Sequence, residues 1–349
     1  MRRLKLDKIA SAAGPAGLKE EVYVSGDIVS REGFVLAVRV LADKAVYNTL
    51  ENAQGRMTRL KAGDVLGGVL GHRRALHGYA GDVPPALSVG DRLEVLNLGG
   101  VLGRCTSFNP DVGRPFETEV LGSILHFPHL GKRLGEPAHI GLGAIPEEDS
   151  ATSFPPLVAV LGTCMNSGKT VAACEVIHGL GKLGLRVSGA KVTGVSLRRD
   201  TLNMSDYGAM EALSFTDAGI VSTGPESAPG GARRLISHLA RRKPDVIVVE
   251  FGDGIFGEYG VRSVLADPKI QSAIKAVLLC ANDPAGAWGA VRSLSSEMGI
   301  GVSMVSGPVT DNEVGAAFIR DQLLLPAANA LRDPGLLTSC VQKGLRAND

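Results

Sequence analysis

Between residues 162 and 170 the chain reads Gly162-Thr163-Cys164-Met165-Asn166-Ser167-Gly168-Lys169-Thr170. An apolar run over 157–161 leads into this segment, and an amphipathic stretch over 169–183 leads out of it. That order of residue types suits the binding of a polyphosphate. Backbone N–H groups of a glycine-rich turn face an anion, and the helix that follows adds the positive end of its dipole. Lys169 would bring a cation to the β- and γ-phosphates, and the Thr170 hydroxyl would ligate Mg²⁺. Gly162, Thr163, Asn166, Ser167, Gly168, Lys169 and Thr170 are therefore the expected nucleotide-binding set. The first glycine of such a loop falls six residues before the lysine; here Thr163 stands at that place and Gly162 one residue earlier. A chance Gly-Lys-Thr would rarely fall between a buried strand and an amphipathic helix.

Magnesium on a nucleotide takes hard oxygen ligands; Thr170 and Glu250 are candidates by position, and Asp206 becomes one through the family resemblance given below. Glu250 ends an apolar run that begins at Asp245, so it belongs at the carboxyl end of a central strand. Metal ligation or simple solvation would suit it there. Asp206 suits a metal contact or the N-cap of a helix starting near Tyr207. Lys191 closes a second apolar run and, taken alone, reads as a solvated lysine; its phosphoryl role comes from the resemblance given below. Asp253 lies just after Glu250 and reads as a catalytic base, an amine-binding carboxylate or part of an Asp-Gly turn. Lys169, Lys191 and Asp253 are the expected catalytic residues. Arg198 and Arg199 would either clamp an anion or form a solvated charged loop. Cys164 has no His or acidic neighbour in sequence and reads as a small structural thiol.

These groups need a frame. From residue 157 onward, apolar runs at 157–161, 187–192, 245–251, 276–281 and 301–306 alternate with helical stretches at 169–183, 231–242, 285–297 and 312–323. Alternating strands and helices build a doubly wound, mostly parallel α/β sheet that binds ligands beyond the carboxyl ends of its strands. Residues 157–349 are the expected nucleotide-binding domain, and 146–156, rich in Pro, Ser and acidic residues, the linker. Residues 1–145 carry short Val- and Leu-rich segments at 21–25, 33–41, 64–70, 91–98 and 101–106, parted by Gly-Asp pairs. That pattern predicts a smaller β-rich domain, a barrel or a sandwich. Its His72, Arg73, Arg74 and His77 could line a second site or a polar hairpin, and His126 and His129 lack the partners of a metal set.

Composition removes whole classes of function. Lys and Arg total 37 against 36 Asp and Glu, a balance unsuited to phosphate-backbone binding, and aromatic residues are only 4%. No nucleic-acid partner is expected. No apolar run approaches the roughly 18 residues of a membrane span, and the N-terminus lacks a secretory apolar core, so a soluble cytoplasmic protein is expected. Five scattered cysteines offer neither a disulfide framework nor zinc-ligand spacing.

Gly162-Thr163, four residues, then Gly168-Lys169-Thr170-Val171-Ala172 and Cys174 resemble the loop of dethiobiotin synthetase. The likeness continues through 184–191, ending at Lys191, through Asn203-Met204-Ser205-Asp206, and through Val248-Val249-Glu250-Phe251-Gly252. It spans most of 157–310 and does not reach the first 150 residues. Where that family has Glu-Gly-Ala-Gly-Gly, this chain has Glu250-Phe251-Gly252-Asp253-Gly254. The resemblance is therefore to the wider group of dethiobiotin synthetase-like P-loop enzymes, together with the cofactor amide synthases, rather than to that single enzyme. It implies ATP and Mg²⁺ as cofactors and Lys191 as a contact to the phosphoryl group and a substrate carboxylate or carbamate. It also implies ligase- or kinase-type activation of that substrate for C–N bond formation with an amine, and, by analogy, a homodimer. The segment Ala281-Asn282-Asp283-Pro284 lacks the lysine of a guanine-reading Asn-Lys-x-Asp, which favours ATP over GTP. Two other readings stay open. One is a nucleotide-dependent switch or adaptor on the same scaffold. The other is N-acyl transfer on a P-loop core, as in the D-glutamate N-acetyltransferase family.

Overall fold

In the computed structural model, which describes residues 1–129, 134–147 and 153–346, the chain divides into two units. The first comprises Met1–Pro146, Val195–Arg199 and Thr216–Ser222; the second comprises Glu147–Gly194, Asp200–Phe215 and Thr223–Asp349. Two short stretches of the expected 157–349 domain thus fold with the N-terminal part of the chain. Of the expected linker, residues 148–152 lie outside the described residues.

The first unit is built on an 11-stranded, mainly antiparallel sheet. Within it Phe116–His126, Val35–Val40, Val65–Leu70, Val101–Phe108 and Arg92–Val95 pair in turn, and Arg92–Val95 pairs back to Phe116–His126. That closes a five-strand circuit, so the β-rich domain contains a barrel rather than a sandwich. Closure removes the edges that would otherwise invite pairing with other chains. Leu36, Val38, Leu66, Leu70, Leu93, Val95, Leu102, Phe116 and Val120 share one core. Val35, Ala37, Val69 and Val101 face a second core with Leu6, Ala12 and Val221. Burial on both faces explains why these strands read as continuous apolar runs. The 11-residue strand Phe116–His126 was hidden by the polar start Glu117-Thr118-Glu119, in which the two glutamates alternate with buried Phe116, Thr118 and Val120.

The second unit carries a six-stranded sheet whose pairings are all parallel. Its strands are β1 (Leu157–Gly162), β2 (Val187–Thr193), β3 (Ala212–Ser214), β4 (Val246–Phe251), β5 (Ile274–Cys280) and β6 (Met304–Ser306). They lie in the order β3-β2-β4-β1-β5-β6. The helices are α1 (Lys169–Lys182), α2 (Arg199–Asp206), α3 (Ser227–Ala240), α4 (Val261–Leu265), α5 (Pro268–Ala273), α6 (Pro284–Met298), α7 (Glu313–Leu323) and α8 (Pro334–Arg346). Every residue of β1 and β4 is buried, as a strand covered on both faces requires. The expected doubly wound α/β architecture is the one observed. Val158, Val160, Ala173, Ile177, Val248 and Leu278 form part of its core. The chain leaves β1 toward β2 on one side and crosses to β5 on the other, so the switch in direction falls at β1, where the phosphate loop begins. No helix among the described residues is long and apolar enough to cross a membrane.

Candidate active site

The loop between β1 and α1 holds its shape through its own polar groups. Gly162, the last residue of β1, accepts a hydrogen bond from Ile255 N–H at 3.0 Å, and Thr163 N–H donates to Cys280 O at 3.0 Å. Asn166 and Gly168 take left-handed conformations, with φ of 59° and 87°, and Gly168 caps α1. Ser167 is fully buried and donates to Cys164 O at 3.0 Å. Lys169, only 6% exposed, folds back across the loop and donates to Cys164 O at 2.7 Å. Ser167 Oγ lies 3.3 Å from the same ammonium. The cation is thus held inside the curve of the loop, where a bound phosphate would meet it.

Glu250 and Lys191 are register partners on the adjacent strands β4 and β2, so their side chains leave the same face of the sheet at the same level. Thr170, on the first turn of α1, donates to Glu250 Oε1 at 2.9 Å and lies 3.4 Å from Asp200 Oδ1. The other oxygen of Asp200 forms an ion pair with Lys191 Nζ, both side chains being nearly buried. One hydroxyl therefore stands between two carboxylates and has a single proton to give. Glu250 is 2% exposed, and its Oε2 has no hydrogen-bond partner among the described residues. A buried carboxylate oxygen without a partner is costly. Here it borders a cluster of oxygen donors next to a phosphate loop.

That donor set fits Mg²⁺, which takes oxygen ligands and retains several waters and substrate oxygens in its shell. Thr170 and Glu250 would hold it, with Asp200 beside them. Among the described residues no group of three or more His, Cys, Asp or Glu could hold a metal alone. A Mg²⁺ carried in by phosphates needs only one or two protein carboxylates.

Asp206 does not take the place expected for it. It is the last residue of α2 and exposed, so it neither starts a helix nor meets Thr170; Asp200, on the first turn of the same helix, does. The helix expected to start near Tyr207, with Asp206 as its N-cap, instead ends at Asp206. The only local signal for Asp200 was an acidic residue opening a polar helix, common for dipole reasons alone.

Asp253 follows β4 with φ of 71°, a conformation that Asp tolerates better than most residues. Burial raises its carboxyl above the usual range. The Gly254 N–H and Lys169 pull it back down, and Glu258 pushes it up. Gly254 brings this loop onto the phosphate loop: a Cβ there would sit 2.5 Å from Thr163 O. Asp253 and Lys169 thus belong to one electrostatic site. Arg198 and Arg199 are both exposed, and Arg198 donates to Ala53 O at 2.8 Å within the first unit.

Around the loop, Asp283 caps α6 by accepting from Gly286 N–H at 2.8 Å. Asn282 is exposed and donates to Cys164 Sγ at 3.1 Å. Cys174 and Cys280 are buried, and burial pushes both thiols up to about 12, so neither is a thiolate nucleophile near neutral pH.

No protein-family model matches the chain, and no curated protein matches it. Among solved structures it is similar to a DUF1611 family protein from Anabaena variabilis, at 13% identity, over 55% of this chain and 58% of that one, with a TM-score of 0.41. It is also similar to the signal recognition particle receptor FtsY from Elizabethkingia anophelis, at 15% identity, over 56% of this chain and 67% of that one, with a TM-score of 0.38. A ParA family ATPase from Chlorobium tepidum matches at 14% identity over 55% of this chain and 99% of its own length, with a TM-score of 0.33. The chain spans 58% of the length of the DUF1611 protein. Strand order and the β1–α1 loop give the second unit a P-loop nucleotide-binding architecture on their own.

Proposed function

We propose that the chain is a Mg-ATP-dependent enzyme that activates a small carboxylate or carbamate by phosphorylation for C–N bond formation, as in dethiobiotin synthetase-like enzymes. The observation that carries the reading is the buried Glu250, hydrogen-bonded to Thr170 and keeping one oxygen unpartnered beside the phosphate loop. Bound Mg²⁺ would neutralise phosphate charge and align the β- and γ-phosphates.

The chain's own groups supply the rest. Lys169, released from Cys164 O, would pair with the terminal phosphates. Lys191, level with Glu250 on β2, would hold the substrate carboxylate and offset negative charge as its oxygen attacks the γ-phosphorus. The bond from that phosphorus to the β–γ bridging oxygen breaks, and the electron pair leaves with ADP. An amine then attacks the acyl carbon, phosphate departs, and the amine proton passes to Asp253, whose raised carboxyl suits proton acceptance nearer neutral pH. Most of the catalysis is positioning and charge neutralisation.

The test is phosphate release from Mg-ATP by the purified protein, alone and with pools of small carboxylates and amines. Release stimulated by a carboxylate–amine pair supports the reading. Release stimulated only by a protein partner favours a switch. Silence with ATP but turnover of acetyl-CoA favours acyl transfer.

A further inference from the structure

Arg73 and Arg74 form a two-residue strand of the first unit, and neighbouring strand residues face opposite ways. Arg74 is part-exposed and shares Asp82 with His72. Arg73 turns inward instead and is 3% exposed. Its Nη1 donates to Leu96 O and to the Tyr47 hydroxyl, the latter at 3.4 Å. Among the described residues nothing accepts from Nε or Nη2, and Nε is buried. Those two groups make up the edge of a guanidinium that takes a carboxylate in a forked pair. No acidic side chain among the described residues forms an ion pair with Arg73.

The surroundings sharpen this imbalance. Lys44 stands beside the same ring: its ammonium lies 5.4 Å from the centre of Tyr79, and the Arg73 guanidinium carbon lies 5.8 Å from it. Lys44 has its acceptors, the Tyr79 hydroxyl at 2.8 Å, Val112 O at 3.2 Å and Arg114 O. Burial lowers the Lys44 ammonium and raises the Tyr79 hydroxyl, as expected where water is scarce. Glu94, close by, accepts from Cys105 N–H at 2.9 Å. Gly78 packs against Nη2 so closely that a Cβ there would lie 2.6 Å away, so the residue covering this end of Arg73 has no side chain to offer it. A buried cation without a counter-charge is costly to the fold.

We propose that the Nε–Nη2 edge of Arg73 is the binding point of a small carboxylate ligand, one oxygen to each nitrogen. The unmatched charge is a single positive one on a planar fork, which a carboxylate fits in both charge and shape; a phosphate brings more charge than this edge has donors to meet. The rings of Tyr47 and Tyr79, 5.6 Å apart and edge to face, give the body of the ligand an aromatic wall. The site lies wholly within the first unit and is independent of the nucleotide reading.

The test uses the full chain without nucleotide, in sodium chloride, phosphate, acetate or benzoate at one pH and ionic strength. Two quantities are followed, the NMR signal of the Arg73 Nε–H and the melting temperature, which rises when a ligand binds the native state alone. Acetate and benzoate should shift the Arg73 signal along a saturating curve and raise the melting temperature with it, while phosphate matches chloride. Arg73→Met should remove the thermal response. Arg73→Lys, which keeps a donor for Leu96 O without the fork, should bind the carboxylates at least about tenfold more weakly, and it decides the matter if the Met variant does not fold. A thermal response to carboxylate that survives at wild-type strength in either variant overturns the proposal. So does a wild type that answers phosphate as strongly as carboxylate, or that answers neither acetate nor benzoate.

Discussion

Each unit buries a glutamate almost completely, and the two are used in opposite ways. Glu51 in the barrel-containing unit gives both oxygens to backbone amides. Glu250, at the end of β4 in the P-loop unit, gives one oxygen to Thr170 and leaves the other without a partner. Buried charge survives only where something compensates it. For Glu51 the compensation is already in the fold. For Glu250 it is incomplete among the described residues, and under the proposed function a hard cation supplies the rest.

Substitutions can widen that contrast or erase it. The largest effect is expected at Lys169→Ala, which removes the cation from the loop. The kcat/KM for nucleotide turnover should fall about a thousandfold, and a fall of less than tenfold would take the loop out of the chemistry. Asp253→Asn should lower turnover roughly a hundredfold near neutral pH, as expected for loss of a general base. It should also abolish a pH–rate limb that, in the wild type, lies above the usual carboxylate range. The linked stability effect has a defined sign. The folded carboxyl titrates higher than the unfolded one, so between the two values the native state holds the extra proton and stability falls as pH rises. Chemical denaturation across that window should show the slope in the wild type and a flatter profile in the variant.

Glu250→Gln tests the contrast directly against Glu51→Gln. The first should cost between about 10-fold and 100-fold in Mg²⁺-supported activity, while thermal stability holds or rises because an unpartnered buried charge is gone. The second should lower stability by about 1–3 kcal/mol, since one of two buried amides loses its acceptor. If both variants lose stability equally, the distinction between the two glutamates fails. The smallest effect on turnover is expected at Gly254→Ala. Its Cβ would press on Thr163 O and push the Asp253 loop away, raising KM a few-fold and lowering stability by about 1–3 kcal/mol.

What could be read from the chain beforehand was what is local. The run 157–170 contains its own strand, turn and helix start, so the loop and Thr170 were legible, and Glu250 was legible as the end of a Val/Ile strand. Lys191 owed its selection to family likeness, and the structure then sets it level with Glu250 across the sheet. Asp200 stayed hidden because a lone acidic residue at a helix start has a common electrostatic explanation. The motif-like Asn203–Asp206 drew attention to the exposed end of the helix instead. Glu51 had no local signal at all, since its partners lie more than a hundred residues away. The excursions 195–199 and 216–222 were invisible for the same reason: they are too short for periodicity and defined only by what they pack on.

The central claim is that a nucleotide triphosphate and its Mg²⁺ complete the site formed by the 162–170 loop, Thr170 and Glu250. A crystal structure with Mg²⁺ and a non-hydrolysable ATP analogue tests it most directly. The account predicts phosphates within the curve of the loop, Lys169 turned from Cys164 O onto them, and the metal bound to Thr170 Oγ1 on the side of Glu250 Oε2. A nucleotide seated elsewhere, with Lys169 still bonded to Cys164 O, would contradict it.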